Sequence, residues 1–241
     1  QQIEYFSKVF GCVRFIYNTM LYDKIEYYKK NNEMLYNTPA QYKKAYPFLK
    51  EVDSLALSNA QVNLENAFKK FFKEKIGFSN FKSKKNNYYS FTTNNQRYIN
   101  KKGETTNTIE ILNSKYIKIP KLKTNIRIKM HRQLPIDSTI KSITISKTPT
   151  NKYFVSILVE QEIIKLEPKT TKIGIDLGIK EYITTSNGEV YSNPKLYRKE
   201  EQRLAFLQKS LSRKQKGSNN YKKQQLKVAK LHEKIANQRK D

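Results

Sequence analysis

Apolar residues recur at helical spacing from the first positions of the chain. Phe6, Val9, Phe10, Val13, Ile16, Tyr17, Met20 and Leu21 fall on one face, which predicts an amphipathic helix running towards Lys30. A second helix is predicted in "DSLALSNAQVNLENAFKKFFKEKIG": Leu57, Ala60, Leu64, Ala67, Phe68 and Phe71 form its apolar stripe, Asp53 or Ser54 can cap its start, and Gly77 can stop it. From Thr108 to Glu162 the period changes to two. "YIKIP", "NIRIKM", "TIKSITIS" and "YFVSILVE" alternate apolar and polar residues as strands of a half-exposed antiparallel sheet or small barrel do. "KTPTNK", Lys147 to Lys152, places Pro and Asn between two of them, so Ile143 to Glu160 reads as a hairpin.

The polar, Pro-containing connector "KLEPKTTK", Lys165 to Lys172, is a candidate domain boundary. Beyond it, "KIGID", "EYITTS" and "VYSNP" read as three short strands, the last two joined through the turn "SNGE". Past Pro194 the pattern becomes helical again, with Leu204, Leu207 and Leu211 on one helix, Leu226, Leu231 and Ile235 on the next, and "RKQKGSNN" as a polar hinge. The expected class is α+β. Residues 1–107 form a mainly helical recognition region with a basic aromatic loop, 108–164 the antiparallel strands, and 172–241 a further unit ending in basic helices. No cap or initiator Met precedes the first helix and no Gly or Pro closes the last, so both ends read as interrupted.

Charge then narrows the partner. Among 241 residues, 47 Lys and Arg stand against 21 Asp and Glu, a formal charge of +26 whose self-repulsion is tolerated most naturally for a polyanion. The 37% hydrophobic content, with 17 Tyr and 12 Phe, marks a folded protein rather than a basic tail. Segment 195–241 is densest, with 15 Lys or Arg against four Asp or Glu, a local charge of +11. Cys12, the only cysteine, excludes an internal disulfide and a cysteine-rich zinc site in these residues and fits a reducing compartment. No apolar run approaches the ~20 residues of a membrane span. A cytoplasmic protein without a membrane partner is expected.

Candidate contacts follow from residue type. In "FSNFKSKKNNYYSFTTNNQRYINKKG", rings such as Tyr88 and Tyr89 interleave with Lys82, Lys84 and Lys85, the pairing by which bases stack while cations meet phosphates. The competing reading makes this a basic loop whose aromatics are core. Arg14 on the first helix, and Lys118, Arg127, Lys129 and Lys141 on polar strand positions, could follow a phosphate backbone or keep the protein soluble. Arg213, Lys214, Lys216, Lys222 and Lys223 surround the hinge, and Arg239 and Lys240 end the last helix. Such contacts position a protein without reading sequence. His131 and His232 read as surface residues, and no Walker A or Gly-rich dinucleotide loop appears.

One carboxylate stands apart. In "KIGIDLGIKEYITTSNGE", Asp176 lies in an apolar run that reads as a buried strand, with Gly174 and Gly178 on either side. An unpaired buried charge is costly, so the residue needs a role. Two-metal phosphodiester cleavage uses carboxylates from several strands, and a strand-central Asp beside glycines suits the first ligand of such a site. Glu181 and Glu189 do not read as the second. "GIDLG" is also similar to the phosphate-binding strand of actin- and chaperone-type ATPases, although Ile179 and Lys180 replace the expected Thr or Ser; an Asp that satisfies turn amides is a further alternative.

The ordered series "FGCVRFIYN", "GFSNFKSKKNNYYSFTT", "IKIPKLKTNIRIKMHRQLP", "SITISKTPTNKYFVSILVE", "IGIDLGIKEYITTSNGE", "NPKLYRKEEQRLAFLQKSLSRKQKGSNN" and "VAKLHEKIANQRKD" resembles the TnpB family, the OrfB-type proteins of insertion sequences related to type V CRISPR nucleases. The resemblance implies an RNA-guided DNA endonuclease. In such proteins a small wedge-like barrel with a helical insertion holds guide RNA and target double-stranded DNA, and a RuvC domain of RNase H-like fold cuts with Mg²⁺. Asp176 matches the first RuvC carboxylate. The family's later catalytic Glu and Asp, and its Zn²⁺ ribbon, lie beyond the "NQRKD" helix. These 241 residues are therefore expected to bind RNA or DNA as a monomer, nucleoid-associated in a prokaryotic cytoplasm, without cleaving. The alternative is a nuclease-inactive RNA-guided repressor or a transposon accessory DNA-binding protein.

Overall fold

The computed structural model describes residues 1–86, 89–99, 103–162, 165, 167–168 and 170–240. Contacts divide the chain into two units, residues 1–162 and 163–241.

In the first unit, helix α1 (Gln2–Asn31) buries the predicted stripe from Phe6 to Leu21 and ends where Asn32 turns left-handed, φ 54°, and donates its N–H to the Tyr28 carbonyl. A short α2 (Pro39–Ala45) and the 3₁₀ turn Pro47–Lys50 lead into α3 (Ser54–Glu74), which buries Ala56, Leu57, Ala60, Leu64 and Phe68. Asp53 precedes α3 but does not cap it through its side chain. Its carboxylate instead accepts from the Thr93 hydroxyl, tying the helix start to a strand. Nor does Gly77 stop the helix: Lys75 takes the left-handed turn at φ 52°, and the chain has left the helix before the glycine is reached.

Both helices pack on β1 (Tyr89–Asn94), where Phe10 meets Phe91 edge-on with ring centroids 5.6 Å apart. β1 pairs antiparallel with β7 (Thr139–Lys147), which pairs in turn with β8 (Tyr153–Glu160), giving the order β1-β7-β8. The expected hairpin is present. Its turn closes through the Thr148 N–H donating to the Lys152 carbonyl at 2.9 Å, with Asn151 left-handed at φ 64°. Between β1 and β7 lie two further small sheets: β2 (Arg97–Ile99) with β3 (Thr105–Asn107), and β4 (Glu110–Leu112) with β5 (Tyr116–Lys118) and β6 (Ile126–Arg127).

These sheets do not close, so the barrel expected from the alternating pattern is not formed among the described residues. Strands β2 to β6 are two or three residues long, and Asn113, Ser114 and Lys121 turn the chain at positive φ between β4 and β6. Each ladder ends before it could pair around a ring, which needs continuous, tilted strands. Asn95 bridges the gap. Its side-chain oxygen accepts from the Ile109 N–H (2.9 Å) and the Thr108 hydroxyl (3.2 Å), its amide donates to the Ile140 carbonyl (3.0 Å), and its own N–H donates to the Lys141 carbonyl (2.7 Å). Ile109, Ile117, Ile119, Ile143 and Ile145 join the helices in one core.

The second unit holds a three-stranded antiparallel sheet in the order β11-β10-β9, built from β9 (Ile175–Leu177), β10 (Glu181–Thr185) and β11 (Val190–Ser192), and a helical hairpin of α4 (Leu196–Ser212) and α5 (Asn219–Gln238). Leu204, Val228, Leu231 and Ile235 form the hairpin's core, with Leu207 and Leu211 packed beside it. Val228 takes the inward position expected for Leu226, because Gln224, Val228, Leu231 and Ile235 recur every three or four residues on the inner face. The Gln224 amide reaches across to the Leu207 carbonyl at 3.1 Å. Ser218 caps α5, accepting from the Tyr221 N–H at 3.1 Å.

Candidate nuclease strand and nucleic-acid interface

The strand reading of the Asp176 stretch holds, but its burial does not. Every residue from 171 to 180 is exposed; Ile175 keeps 61% of its surface and Leu177 72%. β9 is an edge strand, and no second layer covers the sheet among the described residues. A strand is buried only when something packs on its face.

The geometry around Asp176 is local and tight. It pairs with Thr184 of β10, while Ile175 and Leu177, paired with Thr185 and Ile183, lie on the other face. Gly178 is required by the β9–β10 turn: a Cβ there would lie 2.7 Å from the Glu181 carbonyl oxygen. Gly174 is fixed by donating its N–H to Ser186 Oγ at 3.0 Å and accepting from the Ser186 N–H at 2.9 Å. The turn is further braced by the Asn193 amide donating to the Ile179 carbonyl at 3.0 Å. These polar needs are met without Asp176, whose carboxylate makes no hydrogen bond or ion pair with a described residue. It is not a turn-satisfying aspartate among them.

The neighbouring carboxylates are placed otherwise. Glu181 is half-buried opposite Ser192, and Glu189, in the β10–β11 turn, accepts from the Tyr191 hydroxyl at 3.0 Å and holds that phenol above its ordinary pKa. Among the described residues no group of three or more His, Cys, Asp or Glu side chains gathers as a metal site would require. Asp176 is a single hard-oxygen donor, which suits one position in a magnesium shell but does not complete one.

The basic candidates separate into several places. Arg14, Lys82 and Tyr89 come together: with Phe10, Val13, Ser83 and Ser90 they line a cavity of about 240 Å³, and Arg14 also borders a second hollow with Gly11, Asn18 and Tyr22. Lys82 as a whole residue is exposed, but its ammonium lies 4.0 Å from the Tyr17 ring centroid, and loss of solvent there holds its pKa below the usual lysine value. Asn18 pins its backbone in both directions, accepting from the Lys82 N–H at 2.8 Å and donating to its carbonyl at 2.9 Å. Tyr89 is half-buried against Phe10, with centroids 5.7 Å apart, and donates to the Lys84 carbonyl at 3.2 Å. Lys84 and Lys85 project from the 3₁₀ turn Lys84–Asn86; Tyr88 lies outside the described residues.

On the strands, Lys118 is committed to Glu110 at 3.2 Å and Lys141 to Glu160, whereas Arg127 and Lys129 are exposed and carry no hydrogen bond or ion pair with a described residue. Arg213, Lys214 and Lys216 occupy the α4–α5 turn and Lys222 and Lys223 the N-terminal part of α5, so five cations crowd one end of the hairpin. At its other end Arg239 lies 5.3 Å from the Tyr197 ring centroid and Lys240 is exposed.

Pattern reading missed a cavity of about 380 Å³ between β8 and the irregular segment 128–135, bordered by Lys129, His131 and Arg132. His131 gave no signal because it has neither a nucleophile nor a second metal-ligand residue near it in sequence. Its neighbours across the cavity come from β8, more than twenty residues away.

Known proteins similar to the chain are all of one kind. Residues 156–241 match the OrfB profile of IS605-type elements, described as "Probable transposase", and residues 1–33 match the associated profile described as "Helix-turn-helix domain". Residues 2–31 form one uninterrupted helix here, without the turn that such a motif contains. Over its whole length the chain is 32% identical to a Streptomyces pristinaespiralis protein named "Putative RNA-guided DNA endonuclease". Over 96% of its length it is 30% identical to the Escherichia coli protein named "Putative RNA-guided DNA endonuclease InsQ". It spans 59% and 56% of those two relatives, little more than half. No helix of the described residues is long and apolar enough to cross a membrane. The two profile matches at either end and the two relatives spanning between them make the chain similar to the OrfB, or TnpB, proteins of insertion sequences.

Proposed function

We propose that this chain is the guide-holding part and first nuclease segment of an RNA-guided DNA endonuclease of insertion-sequence type. The observation that carries the reading is Asp176: a carboxylate presented on an exposed strand, with its turn amides satisfied by other groups and no described cation neutralising it. A charge kept free in a chain of +26 is suited to a ligand rather than to the fold. The likeness to relatives named for RNA-guided cleavage supports the reaction class.

In this proposal Asp176 belongs to a RuvC-type site of RNase H-like fold and is one ligand of magnesium, with further carboxylates required beyond the described residues. Bound magnesium would supply positive charge to the attacking and leaving oxygens of a phosphodiester. Gly178 and Ser186 hold the strand that presents Asp176. Arg14, Lys82 and the hairpin-end cations would follow the phosphates of guide RNA and target double-stranded DNA, while base pairing to the guide carries sequence recognition. A cysteine-rich zinc site cannot be built from these residues, where Cys12 is the one cysteine and is buried.

The test uses two proteins. The 241-residue chain should bind RNA without magnesium-dependent nicking, and the complete protein carrying Asp176→Ala should lose cleavage while keeping its RNA. Nicking by the 241 residues that disappears in Asp176→Ala would overturn the incompleteness of the site. A complete protein that binds guide and target but never cleaves would favour the RNA-guided repressor. Neutralising Arg213, Lys214, Lys216, Lys222 and Lys223 should flatten the salt dependence of binding; an unchanged slope would remove them from the interface.

A further inference from the structure

The cavity between β8 and segment 128–135 has a division of character that the proposed function does not use. Its floor is apolar, formed by Val155, Ile157 and Val159 from alternate positions of β8 and by Leu134 from the facing segment. Its rim is polar, with two cations, Lys129 and Arg132, and the His131 imidazole: all three are exposed, and none makes a hydrogen bond or ion pair with a described residue. Gln133 and Gln161, likewise without such partners, add amides that can both donate and accept.

The irregular segment is tethered at both ends. The Ile128 N–H donates to the Lys115 carbonyl at 2.8 Å, and Ser138 Oγ donates to the Pro135 carbonyl at 2.8 Å. The two ends of the segment are therefore fixed before any ligand arrives. At about 380 Å³ the cavity sits at the small end of ligand sites, with room for one nucleotide and not for a stack of them.

We propose that this cavity seats one unstacked nucleotide of an RNA strand, with the base on the apolar floor, its edge on Gln133 or Gln161, and its phosphates on Lys129, His131 and Arg132. An unpaired RNA base can be splayed into such a slot at little cost, whereas a base in duplex DNA must first leave its stack. The inference rests on the nucleic-acid reading above and adds a place where the protein touches a base rather than the backbone alone. That place makes a preference for one base at one position of the RNA chemically available.

The experiment irradiates the 241-residue chain with single-stranded RNA carrying 4-thiouridine and maps the cross-linked peptides by mass spectrometry. Cross-links should fall in residues 128–135 or 155–161. Val159→Phe, which fills the cavity from its own floor, and the pair Lys129→Ala with Arg132→Ala should each remove them and weaken single-strand binding about tenfold, with a smaller loss on a blunt RNA duplex. Equal losses on the duplex would reduce the rim to surface charge and overturn the seat. Adenosine monophosphate binding as tightly as the strand would assign the cavity to a free nucleotide, and an all-deoxy strand cross-linking equally would remove the RNA assignment. A chain that binds RNA with cross-links only elsewhere sinks this inference and leaves the proposed function standing; a chain that binds no RNA sinks both.

Discussion

Strands β7 and β9 are written in the same alphabet and meet opposite fates. In β7, Ile143 and Ile145 are 0% and 4% exposed, enclosed among Phe91, Ile117 and the helices. In β9, Ile175 and Leu177 hold equivalent alternate positions and remain open to solvent. The difference is one of surroundings. β7 lies in the middle of its sheet, and α1 and α3 supply a second layer, whereas β9 is an edge strand with no layer above it among the described residues. Alternation decides which residues share a face; whether that face is buried depends on residues elsewhere in the chain.

The contrast can be broken most directly by truncation. Ile143→Ala should destabilise by about 2–5 kcal/mol through lost burial and a residual cavity. Leu177→Ala should change stability by less than about 0.5 kcal/mol, as an exposed substitution does. Urea unfolding of both variants reads this, and equal losses would mean that β9 is covered in solution. The next effect is expected at the turn beside Asp176. Gly178→Ala must displace the Glu181 carbonyl, at a cost of about 1–3 kcal/mol, while Gly174→Ala meets Ser186 Cβ at an ordinary 3.4 Å. Hydrogen exchange at the β9 and β10 amides should accelerate in the first variant only.

A smaller, pH-dependent effect sharpens the comparison from the buried side. Hydrogen bonds from Thr106 above all, then from the Asn107 N–H and Lys118, hold the Glu110 carboxyl below the usual glutamate range against a partial loss of solvent. The folded pKa is the lower one, so the stabilisation is present above the ordinary value of about 4.3 and is lost as the pH falls through the folded value. The thermal midpoints of the parent chain and Glu110→Gln should therefore converge on acidification; a gap that persists at low pH would contradict this. The smallest effect lies on α1. Gly11 has open space where a Cβ would go, so Gly11→Ala should raise stability by about 0.5–1 kcal/mol through helix propensity alone. Since Gly11 borders the hollow shared with Arg14, RNA titrations of the same variant would show whether a phosphate backbone needs that space.

Much of the local structure was legible because it rests on short-range rules. The stripes of α1 and α3, the β7–β8 hairpin and the succession β9, β10, β11 follow from period and turn residues. Three features were not. The stop of α3 moved from Gly77 to Lys75 because a lysine can take a single left-handed position when the chain must leave the helix early. The barrel gave way to open sheets because β2 to β6 are only two or three residues long, and Asn95 links the end of β1 to β7 and to the residues before β4 with side-chain hydrogen bonds that no alternation announces. Tyr89, expected to stack on bases or to belong to the core, is half-buried against Phe10 and also lines the cavity with Arg14.

For the candidate sites the division is the same. Asp176 could be singled out from sequence because a charge within an apolar run between two glycines is rare enough to demand a reason. That its carboxylate stands without a partner among the described residues was decided by Ser186 and Asn193, which meet the turn's polar needs first. The cationic character of the surface is a matter of counting. The cavity at Lys129, His131 and Arg132 is not, since its floor comes from β8 and its rim from a segment before β7, and only the folded chain sets one opposite the other. Sequence by itself determined periods, turns and charge, all properties of residues near one another along the chain. Tertiary structure alone decided which apolar faces found a cover and which polar groups were left unspent, because both depend on contacts between residues that the chain keeps far apart.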